Sequence, residues 1–208
     1  DRWVRYFGHA TTKGKHVLDF GCGFGLEALQ FARSGNRLSL VDINESSVLV
    51  ARRVLALHGY SDCVVASSTA TDQKPYFQST AGPVDVFYCN GVLHHIPYPR
   101  EILLRACELL APGGEIRLML YTDHAWRIST NSDLPPVDDD TSKNPNAVRF
   151  RASYDCVGFW ADWYNEERIV HRFGDFLDLV FYDYVTEDKT YAAAVLRPRT
   201  SARAGDRG

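Results

Sequence analysis

Asp19-Phe20-Gly21-Cys22-Gly23-Phe24-Gly25 joins a short apolar run, His16 to Phe20, to a helical pattern that carries Leu26, Leu29, Gln30 and Ala32 as far as Ser34-Gly35. Strand, glycine-rich turn and helix in that order open a parallel α/β sheet, which binds its ligands at the carboxyl ends of the strands. Glycines at that end let a ligand approach the backbone and the helix N-terminus. A dinucleotide fingerprint G-x-G-x-x-G would need glycine at position 26, where Leu26 stands.

Outward from this turn, apolar runs and helical patterns alternate. Arg37 to Val41 is a second strand closed by Asp42, and Ser46 is the expected cap of a helix that carries Val50, Val54 and Leu57 and stops at Gly59. Val64 to Ala66 is a weak third strand and Val84 to Cys89 a stronger fourth. Ile102 to Leu110 is a helix ended by Pro112-Gly113-Gly114, and Glu115 to Tyr121 is a fifth strand. A carboxylate at the end of the second strand, such as Asp42, can accept two hydrogen bonds from a ribose. From Thr122 to about Tyr164 the sequence turns irregular, with Pro135, Pro136, Pro145 and the run Asp138-Asp139-Asp140. A helix around Asn165 to Phe176 and strands from Leu179 to Val185 and Thr190 to Leu196 close the chain. The short turn Glu187-Asp188-Lys189 makes the last two strands an antiparallel hairpin. The expected fold is α/β and Rossmann-like: a doubly wound, mostly parallel seven-stranded sheet with a C-terminal antiparallel hairpin strand. It occupies 1–196 as a single domain: a cofactor-binding core at 15–121, a specificity insertion at 122–164 and a closing helix and hairpin at 165–196.

The spacing D-x-G-x-G-x-G at Asp19–Gly25 resembles motif I of the class I S-adenosylmethionine-dependent methyltransferases. The segment Asp85 to Ile96, with Leu93-His94-His95-Ile96, and the turn Leu109 to Ile116 resemble that family's fourth-strand end and its turn into the fifth strand. The likeness covers 15–121 and 165–196 and lies closest to a small-molecule branch. It implies S-adenosylmethionine as cofactor, with the backbone of Gly21, Cys22, Gly23 and Gly25 along the methionyl part and Asp19 near the amino group. Asp42 would hold the ribose, Ile43 would pack on adenine, and the Asn90 segment would close over the methionyl side. The family's usual acidic residue after the third strand is missing, so Ser68, Thr69 or a displaced Asp72 would meet the adenine amino group.

Methyl transfer from a sulfonium needs alignment and exclusion of water, and a protonated oxygen or nitrogen acceptor also needs a base. His94 is the favoured base or orienting group, with His95 its structural neighbour; a carbon or sulfur acceptor would require neither. The aromatic residues Tyr121, His124, Trp126, Tyr154, Trp160, Trp163 and Tyr164 could enclose a planar substrate, although taken singly Phe159, Trp160 and Trp163 read more readily as the apolar face of a helix covering the sheet. Arg127, Arg149 or Arg151 could clamp an anion, and Tyr6 could belong to a lid. The three aspartates read as an exposed loop, and no metal site is expected.

The 208 residues are 45% hydrophobic, enough for one packed domain, without a run long enough to span a membrane. The net charge of −3 combines −6 over residues 1–196 with +3 over 197–208, a stretch without apolar periodicity that is expected to be a disordered tail. An acidic body argues against RNA and for a small substrate. Five scattered cysteines without a C-x-x-C pair fit a reducing, cytoplasmic setting, and no signal peptide is expected. The only methionine is Met119, so residues upstream of Asp1 are expected. The reading is a methyltransferase acting on oxygen or nitrogen of a small organic molecule. RNA or protein methylation, a nicotinamide-dependent oxidoreductase and a non-catalytic cofactor-binding subunit are the rivals.

Overall fold

A computed structural model of the chain describes residues 2–69, 82–154 and 160–199. Its elements are α1 (Arg2–Phe7), β1 (His16–Phe20), α2 (Leu26–Arg33), β2 (Arg37–Asp42), α3 (Glu45–Leu57), β3 (Val64–Thr69), β4 (Val84–Asn90), α4 (Pro99–Leu109), β5 (Leu110–Tyr121), α5 (Asp123–Thr130), α6 (Ala147–Tyr154), α7 (Glu166–Phe173), β6 (Leu177–Tyr184) and β7 (Tyr191–Pro198). The sheet has the order β3-β2-β1-β4-β5-β7-β6. β1 pairs in parallel with β2 and β4, β2 pairs in parallel with β3, and β6 pairs antiparallel with β7, so the expected mixed sheet and closing hairpin are present.

The chain forms two compact units, one of residues 1–90 and 101–117, the other of residues 91–100 and 118–208. In the first, every residue of β1 is buried, as a strand flanked by strands and covered on both faces must be. α2 packs Ala28, Leu29, Phe31 and Ala32 inward; α3 does so with Val48, Ala51 and Leu55. The cap of α3 is Asn44, whose side chain accepts from the Ser46 N–H, rather than Ser46 itself. α4 begins at Pro99, three residues earlier than its apolar pattern suggested, and β5 absorbs Pro112-Gly113-Gly114.

The second unit corrects the irregular reading of 122–164. Thr122 caps α5 by accepting from the Ala125 N–H. Trp126 of α5 and Phe150 of α6 meet at 5.3 Å within a core that includes Ala147, Ala161 and Trp163. A buried ion pair ties the neighbouring segment down. Asp162 accepts from Arg168, Arg172 and Thr141, while Arg168 also donates to the Asp139 carbonyl and lies over the Trp163 ring. Asp139, expected in an exposed loop, thus supplies a backbone acceptor to a buried guanidinium. At the end, β7 runs through Pro198, and Arg199 donates its N–H to Phe176 and its guanidinium to Asp178. Arg197 to Arg199 therefore belong to the folded unit; the expected tail from Thr200 onward, Asp72 and Phe159 lie outside the described residues.

Candidate functional site

In the first unit the glycine loop has positive φ at Gly21 (82°), Gly23 (49°) and Gly25 (79°), a conformation that side chains with a Cβ rarely adopt. The reasons for glycine differ along the loop. A Cβ on Gly25 would come within 2.8 Å of the Ala51 Cβ, so α2 and α3 can dock only without it. A Cβ on Gly23 would meet nothing within 4 Å, so that side of the loop is open to a ligand.

The loop is tied to the end of β2. The N–H groups of Gly21 and Cys22 donate to the Val41 carbonyl at 2.7 and 3.0 Å, and the Gly23 N–H donates to Asp42 Oδ2 at 2.9 Å. Asp42 Oδ1 accepts from the Asn44 N–H at 2.9 Å. Each carboxylate oxygen is therefore fixed and still has a lone pair for a ligand hydroxyl. Ile43 follows, 69% exposed, and Phe24 and Leu26 flank the loop with 63% and 67% exposure, an apolar rim unusual for side chains of this size. Ser68 and Thr69 pair in register with Val41 and Asp42, which brings them to the same strand ends; the buried Ser68 Oγ has no hydrogen-bond partner among the described residues.

Asp19 is buried and its Oδ2 has no partner among the described residues. Burial pushes its pKa up to about 8, with the charges of Glu27 and Asp42 adding to the rise. The neighbouring Cys22 thiol is likewise pushed up, by burial first and then by Asp19 and Asp42.

A polar network absent from the sequence reading lies beside this loop. Asn90 Nδ2 donates to the Tyr88 hydroxyl at 3.0 Å, which donates to Glu27 Oε2 at 2.9 Å. Glu27 also accepts from Trp3 Nε1 at 3.3 Å, and its Oε2 lies in close contact with His9 Nε2. Burial raises the Glu27 pKa, but these partners, His9 foremost, outweigh it and hold the group ionised. Tyr6 is half-buried in α1. No periodicity links residues 3, 9, 27 and 88, so only the fold reveals the network.

In the second unit, His94 is fully buried with its ring 3.8 Å from that of Tyr121. The Tyr121 N–H donates to Nδ1 at 3.3 Å, and Nε2 has no partner among the described residues. Burial, then the charge of His95, holds its pKa well below the usual imidazole value, with the Met119 carbonyl opposing. His95 is half-buried, and its Nδ1 lies 3.1 Å from the Trp160 carbonyl. A carbonyl can only accept, so Nδ1 carries a proton in this contact, and in the neutral ring the lone pair falls on Nε2. Tyr121 is the hub of an aromatic group: Tyr154 lies 4.8 Å and Tyr191 5.5 Å from its ring, and its hydroxyl donates to the Tyr154 carbonyl. Tyr191 is a member the sequence did not nominate.

Other expected substrate residues lie elsewhere. Trp126 is completely buried, with Nε1 donating to the Asp133 carbonyl, and Trp163 and Tyr164 are completely buried too; all three belong to the core rather than to a surface a substrate reaches. His124 lies edge-on to Tyr184, Arg127 is 4.0 Å from Asp133, and Arg149 donates to the Thr130 carbonyl at the end of α5. Trp160 contributes its carbonyl to His95.

Comparison with known proteins agrees with the fold. Residues 11–174 match the family model described as a methyltransferase domain. The ubiquinone biosynthesis O-methyltransferase of Nitrosococcus oceani is 30% identical over 108 residues, which cover 52% of this chain and 44% of that protein. The chain thus spans less than half the length of this curated relative. Among solved structures, the CcbJ methyltransferase of Streptomyces caelestis superposes with a TM-score of 0.72 at 17% identity, covering 96% of this chain and 89% of that one. Magnesium protoporphyrin IX methyltransferase from Synechocystis PCC 6803 with bound S-adenosylmethionine gives 0.61 at 17% identity, covering 95% and 76%. The chain belongs to the class I S-adenosylmethionine-dependent methyltransferases, whose cofactor is S-adenosylmethionine. Among the described residues no helix is long and apolar enough to cross a membrane.

Proposed function

We propose that the chain transfers the methyl group of S-adenosylmethionine to an oxygen or nitrogen of a small organic molecule. The observation that carries this reading is the Asp42 carboxylate, fixed by the Gly23 and Asn44 N–H groups beside an open glycine loop. The first unit fits the cofactor in three respects: Asp42 for the ribose hydroxyls, exposed Ile43 for the adenine ring, and the unsatisfied Asp19 Oδ2 and the amide of Asn90 for the amino group. Ser68 and Thr69 stand where an adenine edge would need partners. When bound, the cofactor supplies a methyl group already activated on a sulfonium.

The acceptor falls to the second unit. Of the two histidines, His95 suits proton transfer better, because its Nδ1 is turned to the Trp160 carbonyl, which leaves Nε2 for the acceptor, and it is half-buried, whereas His94 is buried and resists protonation. His95 Nε2 would take up the proton that the acceptor oxygen or nitrogen loses on methylation. Tyr121, Tyr154 and Tyr191 offer flat apolar surface with hydroxyl edges, and Trp160 orients His95 through its carbonyl. The name of the curated relative supports an oxygen acceptor, and the acidic body supports a small one over RNA.

Thermal unfolding with S-adenosylhomocysteine or NAD tests the cofactor half. At 100 times its dissociation constant the former should add ~2.7 kcal/mol of stability; stabilisation by NAD alone overturns the reading. A panel of phenols, amines and carboxylic acids with labelled cofactor tests the acceptor. On the acceptor so found, His95→Ala should lower turnover about 100-fold with cofactor affinity unchanged, and full activity removes His95 as the base.

A further inference from the structure

The chain Asn90–Tyr88–Glu27 has a fixed direction. Glu27, held ionised by His9 and its other donors, can only accept. Burial, followed by the charges of Glu27 and Asp19, raises the Tyr88 pKa well above its usual value, so the hydroxyl keeps its proton and spends it on Glu27. The Tyr88 oxygen is left to accept, and of the two ends of the Asn90 amide only the NH2 can donate to it. The Asn90 Oδ1 is thereby turned away from Tyr88, with both lone pairs uncommitted among the described residues. A reversed amide would set its carbonyl against an oxygen that has no proton to give.

The position of Asn90 gives this polarity a use. β1 and β4 run parallel with Asp19 beside Tyr88, so two residues further on Asn90 comes level with Gly21 at the carboxyl edge of the sheet, where such sheets bind ligands. We infer that Tyr88, anchored by Glu27, is a positioning residue that locks the Asn90 carbonyl as an acceptor for the cofactor's amino group. The inference rests on the cofactor assignment above and adds a specific source of affinity for the amino-acid end. It also gives α1 and the turn that follows it a task, since Trp3 and His9 keep Glu27 in place.

The test compares two ligands by calorimetry. S-adenosylhomocysteine carries the amino group; 5′-methylthioadenosine shares the nucleoside and thioether and lacks it. Tyr88→Phe should weaken S-adenosylhomocysteine about tenfold, the cost of a misdirected acceptor for a charged donor, and leave 5′-methylthioadenosine within about twofold. Tyr88→Phe added to Asn90→Ala should cost nothing beyond Asn90→Ala alone, because both remove one interaction. Glu27→Gln, which keeps the shape and releases the direction, should show the same ligand selectivity and carries the test if Tyr88→Phe does not fold. Equal losses for both ligands make the network structural only and overturn the inference, as does no loss for either. If the parent binds neither ligand, the cofactor assignment itself falls; if it binds both and the variants do not discriminate, the relay alone falls.

Discussion

Two buried titratable residues, Asp19 and His94, push the pH dependence of stability in opposite directions. Asp19 keeps its proton to about pH 8 in the folded chain but loses it near 4 when unfolded. Between those values the folded state binds the extra proton, so stability falls as pH rises, by up to about 1.4 kcal/mol per pH unit. Asp19→Asn removes that slope: its melting temperature should vary less between pH 5 and 8 and exceed the parent's at pH 8. Parallel melting curves for the two proteins refute the assignment. His94 stays neutral when folded, whereas the unfolded chain takes up a proton below about pH 6.5, so its share of stability is lost on acidification. His94→Phe, which keeps the ring contact with Tyr121, should flatten the acid side of the profile, and an acid limb as steep as the parent's excludes His94 as its source.

At the scale of elements, the glycine loop, β2 and Asp42 were legible because each signal is local: glycine punctuation, a short apolar run, a terminal carboxylate. Gly25 shows what was hidden, since the contact that forbids a side chain there is with Ala51, 26 positions away. Gly25→Ala combines a left-handed φ with a 2.8 Å approach and should cost about 2–4 kcal/mol in urea denaturation; a loss under 1 kcal/mol means that α2 and α3 can separate freely. The helices α5 and α6 escaped the sequence because each has only 8 residues and owes its stability to burial of Trp126 and Phe150 rather than to periodicity. Aromatic density in 122–164 suggested a pocket, and part of it is core. Nothing in the sequence singles out Arg168, whose side chain is completely buried, paired with Asp162 and stacked on Trp163, whereas most arginines lie in solvent. Removing its partner with Asp162→Ala leaves a buried cation and should cost about 3–5 kcal/mol by the same method, against near-neutrality if the pair were solvated.

For the whole molecule, the proposed assignment puts the cofactor's residues in one unit and the acceptor's in the other. The residues assigned to the cofactor, from Asp19 to Gly25, Asp42, Ile43, Ser68, Thr69 and Asn90, all belong to the first unit; His94, His95, Tyr121, Tyr154 and Tyr191 all belong to the second. Ligand binding slows amide exchange where it suppresses local opening, so the units should answer to different ligands. S-adenosylhomocysteine should slow exchange in the peptide covering 19–25 by tenfold or more, and in those covering 41–44 and 88–90 to a lesser degree, because the amides of Gly21, Cys22 and Gly23 are held by single bonds to Val41 and Asp42. Peptides from α5 and α6 should change less than about threefold until an acceptor substrate is added as well. Mass-spectrometric hydrogen exchange with the cofactor product alone, and then with product and acceptor together, resolves the two responses. Equal protection of both units by S-adenosylhomocysteine means that the second unit is ordered by the cofactor, and acceptor selection then has to be sought in a structure that forms only after the cofactor binds.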